Sequence, residues 1–401
     1  MSFAKNQIIR ELTELDTQLL RRKIRSVDTP CGTRIQIGGR ELQAFCSNDY
    51  LGLANHPDLI TALSEGAQQF GVGSGASHLI SGHQTIHDAL EEKLAQTQAL
   101  SIPKAKALFF STGYLANISA ITALSNLKSN ASRIYSARLN HASLIDGVRL
   151  AKGQNNATVL IFDHHNLGVL EDELKEDSSQ FKLIIIDGVF SMDGDLAPIG
   201  ALLQLAERHD ALLMVDDAHG FGVLGRHGYG ILEDSGLCSE RLIYVGTLGK
   251  AAGISGAFVC ANELLIEWLI QKARPYIYST ASSPALAYAL IRSLELIEGP
   301  IGQERRDSLR SNTVLWKQLA QFAHWHLLDS ATAIQPIIVG SNETVLQLAK
   351  DLDRAGYWIP AIRPPTVPVG MSRLRMTLSA THTHDEISAL ANILLHLESP
   401  N

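Results

Sequence analysis

No apolar run in this 401-residue chain approaches the roughly 20 residues needed to cross a bilayer, and the longest end in aspartates after about six. Cysteine is scarce as well. The four present, Cys31, Cys46, Cys238 and Cys260, form neither a CxxC nor a close pair, which excludes a disulfide scaffold and a cysteine-based zinc site. The amino terminus lacks the basic-then-apolar layout of a secretory signal, so a reduced cytosol is the expected location. There is no excess of positive charge: the formal net charge is −7, which gives no global attraction for nucleic acid or anionic membrane. What is present is a composition of 45% hydrophobic and 19% charged residues, enough for a large core and more than one domain.

Apolar residues Ile8, Ile9, Leu12, Leu15, Leu19 and Leu20 recur at helical spacing, which predicts an amphipathic amino-terminal helix docking on the body or on a partner subunit. Two short strands, 34–37 and 41–45, should follow around Gly38-Gly39. Seven apolar runs then begin at Ala107, Arg133, Thr158, Leu183, Leu212, Leu242 and Ala257, most of them separated by helix-length segments. That spacing predicts βαβ units and a mostly parallel sheet. The segment Gly246 to Gly256 is too short for a crossover helix, so the seventh strand should run antiparallel. Past about Pro284 the pattern changes to long helices with strands near 334–339 and 373–378. The expected division is an N-terminal piece 1–46, a large α/β domain 47–284 and a smaller C-terminal α+β domain 285–401.

Residues able to do chemistry stand at the ends of these runs. Ser111-Thr112-Gly113, Asp163-His164-His165, Asp187, Asp216 and Thr247 all fall at strand carboxyl ends, where open α/β sheets bind ligands. Asp216 comes after five apolar residues, and a buried carboxylate there needs a partner such as a pyridinium N–H. Alone it would more often cap a helix. His219, three residues on, is in reach of a phenolic oxygen on the same ring. Lys250 sits in a Gly-rich turn between two strands, where enclosure suits a lysine to bond a carbonyl carbon and then act as a base. Thr247 is placed to bond a phosphate. Ser111-Thr112-Gly113-Tyr114 opens a helix at a strand end, so its free N–H groups form a phosphate cradle. His141 could stack on the ring. Together these groups are the ones needed to hold pyridoxal phosphate and bond it covalently. Gly71-Val72-Gly73-Ser74-Gly75 is read as an active-site loop in preference to a nucleotide loop, because no strand precedes it and it lacks a Gly-Lys-Ser/Thr ending. The fragments His164-His165, His324-x-His326 and His382-x-His384 have no clustered acidic or cysteine partners, so no metal is expected.

These residues resemble the α-oxoamine synthases, fold-type-I pyridoxal-phosphate transferases that condense an amino acid with an acyl thioester and release carbon dioxide. The resemblance covers nearly the whole chain, through Ser47 to Leu53, Phe190 to Asp195, Asp216 to Gly220, Thr247 to Lys250 and Tyr278-Ser279-Thr280. It implies that Lys250 carries the cofactor, Asp216 pairs with its ring nitrogen, His219 and Ser191 bond its phenolic oxygen, and His141 stacks on it. Gly113, Tyr114 and Thr247 would hold the phosphate. Within the family, Ala361 to Pro368 followed by Arg373-Leu374-Arg375 is similar to members that join L-alanine to a pimeloyl thioester of coenzyme A or an acyl-carrier protein. That likeness implies Arg375 for the amino-acid carboxylate, Arg21 and Thr366 for the acyl substrate, and a homodimer. Two departures stand out. Asp187 replaces a common Glu, and Ala76-Ser77-His78 alters a loop of the acyl pocket. Sister enzymes using glycine with shorter acyl groups, glycine C-acetyltransferase and 5-aminolevulinate synthase, and a non-catalytic partner subunit are the rival readings.

Overall fold

The computed structural model describes residues 3–127 and 132–398. By packing, the chain divides into two compact units, Asn48–Ser191 with Asp195–Asp307, and Met1–Ser47 with Met192–Gly194 and Ser308–Asn401. Helix α1 (Phe3–Thr17) forms as its periodicity predicts but buries none of its residues, and Ile8, Ile9, Leu12 and Leu15 are exposed. It is not docked on the body of this chain. Strands β1 (Arg34–Ile37) and β2 (Arg40–Ala44) pair antiparallel around Gly38 and Gly39, whose φ values of 56° and 78° suit the left-handed two-residue turn of a hairpin.

In the larger unit, helices α2 (Pro57–Phe70) and α3 (Thr85–Gln98) precede the sheet. Its strands are β3 (Ala105–Phe110), β4 (Ser132–Ala137), β5 (Thr158–Phe162), β6 (Phe181–Asp187), β7 (Leu212–Asp216), β8 (Leu242–Thr247) and β9 (Ala257–Asn262). Their order is β3-β9-β8-β7-β6-β4-β5, and only β9 opposes its neighbours. The sheet is therefore mostly parallel and seven-stranded. Residues Leu183 to Ile186 and Leu213 to Val215 are all fully buried, because helices cover both faces and leave no polar side to the central strands. Helices α4 (Gly113–Leu124) and α5 (Ala142–Asn155) lie beside each other: a Cβ on Gly147 would meet the Ile121 side-chain end at 2.7 Å, so a larger residue there would have to displace it. Ala116, Ala120, Ile121 and Leu124 pack with Ile134, Met214, Ile243 and Val259 in one core.

The boundary expected at 284/285 falls one helix too early. Helix Pro284–Glu298 lies against α2, where a Cβ on Gly66 would meet Tyr288 at 2.7 Å, and so belongs to the larger unit. The division falls instead inside the helix Pro300–Leu319. The remaining strands are β10 (His326–Leu327), β11 (Ile334–Gly340), β12 (Tyr357–Trp358), β13 (Ala361–Ile362) and β14 (Ser372–Thr377). Four of them form an antiparallel sheet in the order β10-β11-β14-β13, while β12 runs parallel to β2. That pairing makes the N-terminal hairpin part of the smaller unit, where residues 1–46 were expected to form a separate piece.

Candidate active site

The parallel strands end together, so residues distant in sequence meet at one sheet edge. Asp216 ends β7 and Asp187 ends β6, and the two stand opposite each other in register. Both are buried. Asp216 Oδ2 accepts a hydrogen bond from Asn117 Nδ2 at 2.6 Å, and its Oδ1 accepts one from the Ala218 amide at 3.0 Å. Asp187 Oδ2 accepts from the His141 amide at 2.8 Å. Burial first, and then the neighbouring Asp216, push the Asp187 carboxyl well above the usual range.

The turn after β7 carries His219. Its Nδ1 lies 2.6 Å from the Tyr50 hydroxyl and its Nε2 lies 3.0 Å from Lys250 Nζ. An ammonium can only donate, so Nε2 accepts, Nδ1–H donates to Tyr50 and the Tyr50 hydroxyl donates to Asn48 Oδ1 at 3.2 Å. Lys250 itself sits in the loop between β8 and β9, closed by bonds from Leu248 N to Gly256 O and from Gly253 N to Lys250 O, each 2.8 Å. Gly253 has a φ of 73°, and a Cβ there would meet Ala54 N at 2.6 Å, so glycine is required for the loop to turn.

At the neighbouring strand end, Thr112 caps α4 by accepting from the Leu115 amide at 3.2 Å. A Cβ on Gly113 would stand 3.7 Å from Thr247 Oγ1, which puts the helix N-terminus and the Thr247 side chain side by side. Free N–H groups, the positive end of α4 and a hydroxyl are what an anion of phosphate size requires. The Tyr114 hydroxyl bonds Asp146, so its backbone amide is the part of Tyr114 left for that anion. The His141 ring opens to the same space. Surrounding protein mass, followed by Lys250, lowers its pKa against the opposing pull of Asp216.

One cavity of about 200 Å³ gathers Gly113, Tyr114, His141, Ser191, Asp216, His219, Thr247 and Lys250, the whole set expected to hold a cofactor. An amine, a carboxylate and an anion cradle around a space of this size fit pyridoxal phosphate. The three residues expected to bind substrate belong to the smaller unit. Arg375 lies buried on β14 opposite Pro336, Thr366 is exposed and its amide donates to Arg363 O at 3.2 Å, and Arg21 pairs with Asp16 at 2.6 Å. Asn117, Ser143 and the role of Tyr50 were not anticipated. A signal for Asn117 existed: four residues beyond Gly113 on a helix, it shares the face that begins the cradle.

Asp217, next in sequence to Asp216, is bonded away from this chemistry. Its Oδ2 accepts from the Ile231 amide at 2.6 Å and from the Tyr244 hydroxyl at 2.8 Å, and burial pushes its pKa up to about 7. His164 and His165, read as lacking an acidic neighbour, have one in Asp195, at 2.8 and 3.8 Å. The partner is 31 residues away from His164, beyond any local spacing rule. His164 Nδ1 is buried without a partner, and metal on Nε2 would leave an Nδ1–H unsatisfied there. The geometry is that of a hydrogen-bonded pair.

The profile of the aminotransferase class I and II family matches residues 40–394, and the chain belongs to that family. Within it, the chain is 51% identical over 388 residues to the 8-amino-7-oxononanoate synthase of Janthinobacterium sp. (strain Marseille), covering 97% of each. A solved 8-amino-7-oxononanoate synthase from Francisella tularensis superposes with a TM-score of 0.74 at 29% identity, covering 89% of this chain and 97% of that one. A serine palmitoyltransferase from S. paucimobilis with bound PLP and myriocin has a TM-score of 0.87 at 26% identity, covering 99% and 98%.

Proposed function

We propose that this chain is a pyridoxal-phosphate-dependent acyltransferase that condenses L-alanine with a pimeloyl thioester, releasing carbon dioxide and forming 8-amino-7-oxononanoate, a step of biotin synthesis. The observation that carries the chemistry is the cavity in which Lys250, Asp216 and the α4 N-terminus converge. The substrate choice is supported by the 51% identity to a named synthase over nearly the full chain. When bound, pyridoxal phosphate supplies a sink for the electron pair released at the α-carbon.

The chain's own groups do the rest. Gly113, Tyr114 and Thr247 hold the phosphate. Asp216, fixed by Asn117, offers its charge to the ring nitrogen, and His141 covers one face. His219 and Ser191 bond the phenolic oxygen. The Lys250 amine would anchor the cofactor and, when free, would take the α-proton and later return one. Arg375 orients the alanine carboxylate, and Arg21 and Thr366 meet the acyl substrate. Alanine and glycine are each to be supplied with pimeloyl-, acetyl- and succinyl-coenzyme A and with pimeloyl-acyl-carrier protein, following carbon dioxide release and product mass. Preferred use of alanine with a pimeloyl thioester is expected. Preference for glycine with a short acyl group would move the chain to a sister enzyme, and no turnover with any pair would make it a non-catalytic subunit. We further place it in the cytosol as a homodimer, a reading consistent with the exposed apolar side chains of α1 and with the lack, among the described residues, of any helix long and apolar enough to cross a membrane.

A further inference from the structure

We propose that Asn117 is a positioning residue: its single amide group holds the Asp216 carboxylate and, through Ser143, fixes His141 as the neutral imidazole with its proton on Nε2. The importance of these two groups for catalysis rests on the function proposed above, whereas the tautomer is a property of the polypeptide alone.

Asn117 stands one helical turn into α4 and is 1% exposed, as is Ser143. Its Nδ2 carries two hydrogens and has two acceptors, Asp216 Oδ2 at 2.6 Å and Ser143 Oγ at 2.8 Å. The reversed amide would set Oδ1 against a carboxylate oxygen, acceptor facing acceptor, so the orientation is determined by its neighbours. Ser143 Oγ receives a hydrogen bond from Asn117 Nδ2, which can only donate, and the acceptor in reach of its one proton is His141 Nδ1, 2.7 Å away. The Ser143 backbone N–H is directed at the same nitrogen at 3.3 Å. Two donors converge on Nδ1, which must therefore present its lone pair. The proton of the neutral ring is left on Nε2.

An imidazolium would need a hydrogen on Nδ1, and that hydrogen would face both the Ser143 amide hydrogen and a hydroxyl forced to reverse. Asn117 and Ser143 are both buried, so neither side chain can turn to solvent to relieve the conflict. The lowered pKa of His141 agrees with this assignment. Asn117 thus sets the charge on two sides of the cavity: a carboxylate held in place at Asp216, and a face at His141 that carries no positive charge. An uncharged ring there avoids repulsion with a cationic heteroaromatic lying over it and leaves Asp216 as its charge partner.

The test is nitrogen NMR on protein with ¹⁵N-labelled histidine at pH 7.5, without cofactor and after loading with pyridoxal phosphate, His141 being assigned through His141→Gln. Wild type is expected to show His141 protonated at Nε2 and bare at Nδ1 in both states. Ser143→Ala, which keeps the Asn117–Asp216 bond, should give a mixture of tautomers without shifting the pH titration of the bound cofactor's absorbance. Asn117→Ala should give the mixture and also shift that titration, because Asp216 loses a donor. Wild-type His141 found as imidazolium or as the Nδ1–H form overturns the proposal, as does a tautomer unmoved by both substitutions. If Asn117→Ala fails to fold, wild type and Ser143→Ala still decide. The expected tautomer in a protein that does not condense alanine with pimeloyl thioester would sink the function and leave the Asn117 relay standing; the opposite result would do the reverse.

Discussion

At the scale of single residues, two adjacent aspartates have opposite fates. Asp216 turns both oxygens toward the cavity side of β7, while Asp217 is taken up by Ile231 and Tyr244 behind it. Asp216→Asn should therefore slow α-proton exchange from bound alanine by orders of magnitude, whereas Asp217→Asn should leave exchange near the wild-type rate. Equal losses would show that the pair acts as one unit. Lys250→Ala removes both anchor and proton acceptor, and turnover should fall by about 10²–10⁴-fold or more, with partial rescue by an added small amine. Retention of normal turnover without amine would remove Lys250 from the mechanism. Arg375→Lys keeps charge but not the paired hydrogen bonds of a guanidinium, so alanine affinity in a spectral titration should weaken. An unchanged affinity would shift that role to another arginine. Lys250, Asp216 and His219 were legible in the sequence because each stands just past an apolar run, and strand ends are where such sheets place ligands. Tyr50 was not, because its contact with His219 spans 169 residues and nothing local marks it; the place of Asn117 one turn beyond Gly113 is a local signal, but it does not name Asp216, 99 residues away, as the partner.

At the scale of elements, the anion cradle depends on how α4 begins. Thr112→Ala deletes the side chain that satisfies the Leu115 amide, and the expected cost is ~1 kcal/mol of stability together with weaker cofactor binding. Urea unfolding of the protein without cofactor and a cofactor titration would measure the two separately. A stability loss with no change in cofactor affinity would mean that the phosphate is held by Thr247 and the backbone regardless of the cap. The seven strands were readable from apolar runs, and the direction of β9 from the shortness of the loop before it. The assignment of helix Pro284–Glu298 was not readable, because it is decided by a glycine on α2 that lets Tyr288 approach, a match between two surfaces more than 200 residues apart. Helix α1 shows the complementary limit: its periodicity announces an apolar face but does not say what covers it.

At the scale of the whole molecule, buried ionisable groups set the pH range of stability. Burial raises Asp217 to about 7 and Glu91 to about 8, and lowers His78 and His382 to about 4. The raised carboxyls stabilise the fold below their unfolded values near ~4, and that contribution is lost as pH rises through about 7 and about 8. The depressed histidines stabilise it above ~6.5, and their contribution is lost as pH falls through about 4. These two carboxyls and two histidines oppose one another between ~4.5 and ~6.5, and Asp187 and His141 shift in the same opposing senses, so unfolding free energy should change little there and then decline from ~6.5 to ~8, by up to ~1.4 kcal/mol per pH unit for each group still titrating. Glu91→Gln should flatten the upper part of that decline. A curve still rising at pH 8 would contradict it.

The strand order has a further consequence, in the time domain of synthesis. Within its sheet β3 has one neighbour, β9, which leaves the ribosome some 150 residues later. Until then β4 to β8 can pair among themselves while β3, with the start of the anion cradle at its end, has no strand beside it. Ala257 closes the gap, because it stands opposite Phe110 on one side and Thr247 on the other. Cofactor capture by a growing chain should therefore switch on abruptly once β9 has emerged, which makes bound pyridoxal phosphate a reporter of the last strand's arrival.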